Sequence, residues 1–220
     1  MKKLTTALLF SLLILGVKAQ DTVRLVHNNY TTVYSKKLHY PVLVEWWETT
    51  SKDECKNQLP RKDQFGPDPL LKNETSLQKD YDAANKAHKE KGLKGFDRGH
   101  MSPAASNECN GTLVLTECFY FSNMAPQYHS LNAGDWKTLE TNTRDSAIAD
   151  DSVHVWAGSY GESERFGSLA IPSHCWKVIY VSKTKTYHAY IFLNTADKPS
   201  GLKSHEVKLE DVEKATGFKF

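Results

Sequence analysis

The chain has 220 residues and nearly balanced charge, 28 lysines and arginines against 26 aspartates and glutamates. That length supports one domain with a sizeable core, and 40% hydrophobic with 25% charged residues is ordinary for a globular chain. The balance excludes the broad basic excess typical of polyanion-binding proteins, so any polyanion site here has to be a local patch.

The opening stretch MKKLTTALLFSLLILGVKAQ has Lys2 and Lys3 at its head and an apolar run from Ala7 to Val17. It ends in the small-x-small pattern Val17-Lys18-Ala19. Residues 1–19 are therefore expected to be a secretory signal, too short for a transmembrane anchor, and 20–220 a single exported domain with no membrane partner. Export predicts a location in the periplasm or outside the cell. HYPVLVEWWET (39–49) reads as a strand, CKNQLPRKDQFGPDPLL (55–71) as a structured loop, and SLQKDYDAANKAHKEKG (76–92) as part helix, part loop ending at Gly92. GFDRGHMSP predicts a strand stopped by Pro103, and TLVLTECFYFS (112–122) a second extended or buried segment. LNAGDWKTLETNTRDSAIAD (131–150) predicts a helix with Trp136, Leu139 and Ala147 as buried positions. VHVWAG (153–158), CWKVIYVS (175–182) and YHAYIFLN (187–194) are β-branched and aromatic enough to be strands, and KLEDVEKATGF (208–218) is a short helix ending at Gly217. Strands outnumber helices, which interrupt them irregularly, so the expected class is α+β. Cys55, Cys109, Cys118 and Cys175 form an even set, which in an exported chain implies two disulfides. The turn NGT between Cys109 and Cys118 favours that pair, leaving Cys55–Cys175.

FDRGHMSPA (96–104) sets His100 after a glycine, with Arg98 two residues earlier on the same face of a strand. On this segment alone, a salt-bridged Asp97/Arg98 strand end with a half-buried histidine is an equally good reading. Residues further along shift the balance. SNMAPQ (122–127) leads to LNAGDWKTLE (131–140) and Arg144. At roughly 100° per residue, Glu140 falls about 80° around a helix from Asn132, and Arg144 about 40° beyond it. The rival for Asn132 is a helix N-cap, since it stands where the helix is expected to begin. An amide oxygen, a carboxylate, an arginine and an unprotonated histidine are together what metal-assisted phosphodiester hydrolysis requires.

YDAANKAHKEKGLKGFDRGHMSPAASN, FSNMAPQ, LNAGDWKTLE and Arg144, in that order, resemble the DNA/RNA non-specific endonuclease family, the ββα-metal or His-Me finger group. VWAGSYG, IPSHCWKVI and EKATGFKF extend the resemblance, which runs from about Val42 to Phe220. It implies an α+β fold with a mixed or antiparallel sheet and a ββα-metal motif. Carried over position by position, His100 matches the general base and Asn132 the direct ligand of Mg²⁺, with Mn²⁺ as the alternative. Glu140 matches an acid that reaches the cation through water, and Arg144 and Arg98 match arginines facing the phosphate. Asn123 matches an asparagine that supports the site, and Arg61 a further phosphate-binding arginine. Three departures stand out: Ala133 where glutamine is usual, Asp135 with an added negative charge that would weaken phosphate binding or alter metal preference, and Ser159 for a common proline. The implied protein is a monomeric or homodimeric Mg²⁺-dependent endonuclease, cutting DNA and RNA to leave 5′-phosphates. A histidine near its unperturbed pKa of about 6.5 predicts activity rising from acid toward neutral or alkaline pH. The alternatives are a narrower DNase or phosphodiesterase, and a non-catalytic nucleic-acid-binding protein on the same fold.

Overall fold

The computed structural model describes residues 21–50, 55, 58–72 and 74–220. The expected signal over 1–19 lies outside them. Seven strands make one antiparallel sheet in the order β1-β2-β3-β6-β9-β10-β11. They are β1 (Thr22–Val26), β2 (Thr31–Ser35), β3 (Tyr40–Thr49), β6 (Ser152–Tyr160), β9 (His174–Val181), β10 (Thr186–Leu193) and β11 (Glu206–Val207). The centre of the sheet comes from the segments whose β-branched and aromatic residues alternate most clearly.

Alternation assigns each face its work. Val42, Val44 and Trp46 of β3 share one buried core with Val153, Val155 and Ala157 of β6 and with Ile179 and Val181 of β9. Helix α3 (Lys137–Asp150) covers that face with Leu139 and Ala147, and the preceding turn adds Trp136, all three buried. Leu43, Trp176, Val178 and Ala189 point to the other face, where Val212 of α4 (Leu209–Thr216) packs on them. Each such large apolar side chain taken from water contributes roughly 1.5–3 kcal/mol. The α4 helix ends at Gly217, whose φ of 78° is the left-handed conformation that glycine adopts without penalty.

A second, two-stranded sheet stands beside the first. It pairs β4 (Phe96–His100) with β5 (Met124–Tyr128), placing Gly99 opposite Ala125 and His100 opposite Met124. The chain leaves β5 directly into a helical turn, His129–Leu131, then a π-type turn, Asn132–Trp136, then α3. β4, β5 and this helix form a ββα unit. Helix α1 (Gln78–Glu90) closes its flank, with Asn85 exchanging hydrogen bonds with the backbone of Phe96. A third pair, β7 (Glu164–Phe166) with β8 (Leu169–Ile171), completes the strands.

Two sequence expectations need correction. Residues 112–122 are not extended: Thr112–Glu117 is a short helix, α2, and Phe121–Asn123 a 3₁₀ turn. Leu115, Cys118 and Phe119, spaced i, i+3 and i+4, pack with Ala104, Leu59 and Phe65, and that helical spacing overrides the strand-like composition. The cysteine pairing also differs. Cys55 is bonded to Cys109, while Cys118 and Cys175 are free and buried. Cys118 sits at the end of α2 with its thiol donating to Leu115 O, whereas Cys175 lies in the centre of the large sheet beside Gln127 and Ser159. Their thiols occupy separate packed regions, so the solvent-side pair closes instead.

The motif glycine has a packing cause. A Cβ at Gly99 would overlap the side-chain amide of Gln127, which is fully buried and donates to Cys175 Sγ. Gly99→Ala is expected to cost about 1–3 kcal/mol through overpacking, measured by chemical unfolding, with Gln127→Ala in the same chain recovering part of the loss.

Candidate nuclease site

His100 closes β4, and the residues after it are pinned from behind. Asn123 is fully buried; its Oδ1 accepts from Ser102 N (2.9 Å), and its Nδ2 donates to Ser102 O (2.9 Å) and Cys118 O (2.8 Å). Every one of these bonds goes to backbone, so Asn123 holds the turn that follows His100 and stands behind the cleft. Phe119 meets the imidazole edge-on at 5.1 Å, and Phe65 tilts against it at 5.6 Å. The ring Nε2 has no hydrogen-bond partner among the described residues.

The helix side faces it across a cleft of about 290 Å³ lined by Arg61, Arg98, His100, Asn132, Glu140 and Arg144, and also by Lys137. All the sequence candidates except Asn123 therefore meet in one place. Asn132 does not cap a helix: helical backbone precedes it, and its own φ and ψ of −58° and −48° are helical. Its Nδ2 donates to Asp97 Oδ2 (2.9 Å), which His129 Nδ1 also meets at 2.8 Å. Committing the amide nitrogen to Asp97 leaves Oδ1 as the group available to the cleft. The salt-bridged Asp97/Arg98 reading fails with this, because successive strand residues face opposite ways. Arg98 instead lies 4.0 Å over the Phe65 ring and donates to Gln78 Oε1 (2.6 Å). Arg61 stacks more loosely on Phe119, at 5.7 Å, with Nε on Asp63 (2.7 Å). Arg144 donates through Nη2 to Thr141, while its buried Nη1 has no partner among the described residues.

Beneath Glu140 lies a pair of charges that the sequence reading missed. Lys177 is fully buried in β9, on the apolar face, with Nζ 3.9 Å from Glu140 Oε1 and 4.1 Å from the centre of the Trp136 ring. Glu48 of β3, also buried, accepts from the Trp46 indole (2.8 Å). Burial pulls the Lys177 ammonium down to about 8 against the opposing pull of Glu140. Burial likewise raises the Glu140 carboxyl, with Lys177 and Arg144 holding it down. The available signal was a lysine inside an otherwise apolar strand. Asp135 does not face the cleft at all: its carboxylate is turned into the protein, so the expected repulsion of phosphate does not arise. Ser159 is buried beside Cys175, away from the cleft.

His100 differs electrostatically from the sequence expectation. Burial first, then Arg61 and Arg98, push its pKa down to about 3, so the ring is neutral throughout the neutral range. No group of three His, Cys, Asp or Glu side chains placed to hold a metal ion is present among the described residues. A cation here would hold Asn132 Oδ1 and otherwise oxygens of water and phosphate. Mg²⁺, which keeps several waters and takes few protein ligands, fits that donor set.

A strand carrying a neutral histidine, paired with a strand that feeds a helix carrying an amide, defines the ββα-metal class of fold. A model of the DNA/RNA non-specific endonuclease family matches residues 11–220, and the chain belongs to that family. Among its relatives, the Serratia marcescens nuclease is 29% identical over 206 residues, covering 88% of this chain and 70% of that protein. Nuclease C1 of Cunninghamella echinulata var. echinulata is 35% identical over 144 residues, 57% of each chain. The crystal structure of the EndoG/EndoGI complex matches with a TM-score of 0.74 at 25% identity, covering 90% of this chain and 84% of that one. The chain spans about half the length of several curated relatives, 57% of nuclease C1 and 48% of human mitochondrial endonuclease G.

Lys177→Met removes the ammonium paired with the half-buried Glu140 and lying near the buried Glu48, and is expected to destabilise the fold by roughly 3 kcal/mol at neutral pH. The loss should shrink toward pH 5. Removing Lys177 raises the folded-state pKa of Glu140 further, so the variant loses stability as pH rises through that range. Urea unfolding at pH 5 and pH 8 measures both.

Proposed function

We propose that this protein is a secreted, divalent-metal-dependent endonuclease that hydrolyses phosphodiester bonds in DNA and RNA with little sequence or sugar preference, leaving 5′-phosphates. The observation that carries the reading is the neutral imidazole of His100, its buried Nε2 without a partner among the described residues, lining a cleft shared by Asn132, Glu140 and three arginines. Single-domain organisation over residues 20–220 and export belong to the same proposal. The Cys55–Cys109 disulfide supports an oxidising destination. Among the described residues, no helix is long and apolar enough to cross a membrane.

In this mechanism Arg61, Arg98 and Arg144 draw the phosphate into the cleft and offset its charge. His100 accepts a proton from water as the water oxygen attacks phosphorus, and the P–O3′ bond breaks, the leaving oxygen taking a proton from solvent. Glu140, aligned by Lys177, presents an acceptor that orients water on the helix side of the cleft. Phe65 and Phe119 keep bulk water from the imidazole, and Asn132 presents its amide oxygen to the cation. When bound there, Mg²⁺ or Mn²⁺ supplies positive charge against the phosphate oxygens.

Incubating the purified protein with plasmid DNA and with RNA, in Mg²⁺ or in EDTA, tests the reading. Cleavage of both polymers is expected in Mg²⁺ only. His100→Ala should lower turnover by about 10²–10⁴-fold, the usual contribution of a general base, without changing the melting temperature by more than a few degrees. EDTA-resistant cleavage, or a His100→Ala variant as fast as the parent, would sink the proposal. Binding without cleavage would leave the non-catalytic alternative.

The depressed pKa of His100 also fixes a pH dependence. A base whose protonated form is disfavoured stays competent as pH falls through 6.5, so kcat/KM should change less than about threefold between pH 8 and pH 6. A steep acid limb centred at 6.5, in a short-oligonucleotide assay at constant ionic strength, would show a solvated ring.

A further inference from the structure

Asp135 stands three residues beyond Asn132, in the same π-type turn, yet its carboxylate serves a different part of the chain. It is 7% exposed, and its Oδ2 accepts from Ser200 N (2.9 Å) and Gly201 N (3.1 Å) and meets His205 Nε2 at 3.1 Å. All three partners belong to the segment that links β10 to β11. That segment is itself fastened at both ends. Ser130 Oγ donates to Thr195 O (3.0 Å) at one end, and Ile191 N donates to His205 O (2.9 Å) at the other.

The same segment also fills the bend in the turn. Gly134 leaves helical geometry, with φ −100° and ψ −116°, and a Cβ there would come within 2.5 Å of Pro199 Cγ. Pro199 therefore sits against the bend, and Asp135 fastens the two residues that follow it. The His205 ring packs on Phe192 at 4.5 Å, and Phe192 in turn meets Trp136 edge-on at 5.6 Å. Trp136 Nε1 donates to His100 O (3.1 Å), so the contacts run without a break from the segment to the strand that carries the histidine.

We propose that Asp135 is a positioning residue for the metal site: its carboxylate latches the 194–205 segment beneath the bend and thereby holds in place the turn that carries Asn132, whose amide Asp97 orients. The inference rests on the reading of Asn132 as the cation's protein ligand. It differs from a charge effect, in which Asp135 would attract a cation simply by being negative. The carboxylate faces away from the cleft, its oxygen occupied by donors of the segment, and this geometry favours the latch.

The test is Mn²⁺ binding to the nucleic-acid-free protein, followed by the electron paramagnetic resonance signal of free Mn²⁺, with near-ultraviolet circular dichroism to verify the fold. Asp135→Asn keeps the shape and an acceptor oxygen for Ser200 N and Gly201 N, and should bind Mn²⁺ within about twofold of the parent. Asp135→Ala, which has no acceptor, and Asp135→Glu, which keeps the charge but displaces the carboxylate, should each bind about tenfold more weakly, the usual cost of losing a partner that orients a ligand. Should Asp135→Ala fail to fold, the Asn and Glu variants decide the matter. Parent-like binding by Asp135→Glu with weakened binding by Asp135→Asn would overturn the latch in favour of charge, and parent-like binding by a folded Asp135→Ala would overturn it outright. Asn132→Ala serves as the reference: parent-like Mn²⁺ binding by that variant would remove the assignment of Asn132 on which the latch depends, a result separable from failure at Asp135.

Discussion

The hydrogen bond from Trp136 Nε1 to His100 O joins the two halves of this molecule that matter most. The indole is fully buried against the large sheet, so the turn that begins the long helix cannot move without disturbing the main core. The bond carries that constraint to the last residue of β4. The imidazole and the amide thus come from segments far apart in the chain, yet their separation is set by one packed side chain. The rest of the cleft follows: α3 projects Lys137, Glu140 and Arg144 toward it, and the loop before α1 brings Arg61 to its rim.

The electrostatics of the cleft combine opposites. The chain as a whole is close to neutral, yet Arg61, Arg98, Lys137 and Arg144 all line one small cavity. Attraction for a polyanion is consequently local and strong where net charge gives no hint of it. Burial, with Arg61 and Arg98 adding to it, also keeps the histidine uncharged. Below them, the carboxylate of Glu140 depends on Lys177, a buried lysine in the middle of the central sheet. A charge pair is costly inside a core, and this one stands directly under the cleft.

Much of this was legible in the sequence, and the reasons differ by residue. The central strands and the helix carrying Asn132 announce themselves through alternation and spacing, and Trp136, Leu139 and Ala147 are buried as their positions imply. β5 was obscure because Met-Ala-Pro-Gln-Tyr has no alternation and contains a proline, which a two-stranded pair tolerates. The helix at 112–117 was hidden by β-branched and apolar residues whose docking surface lies elsewhere in the chain. The contacts of Asp135 were invisible because its partners, two backbone amides and the His205 ring, stand 65 to 70 residues away and no motif encodes them. The same limit applied to the disulfide, where local turn chemistry pointed to Cys118 and burial kept that thiol out of reach. Lys177 was readable in principle, as a charged residue in a buried strand, but only the three-dimensional fold names the carboxylate it serves.

The way Arg98 is held has a consequence for how substrate would be gripped. Its guanidinium carbon stands 4.0 Å over the Phe65 ring, and Nη1 donates to the amide oxygen of Gln78, a neutral partner. A free arginine gives up much rotational freedom when it closes on an anion, and that entropy loss is subtracted from affinity. Here part of that loss is incurred during folding, and among the described residues no carboxylate is paired with the guanidinium. An incoming phosphate would meet a cation already placed by a ring and an amide, so less of the free energy of the encounter would go into ordering the side chain that receives it.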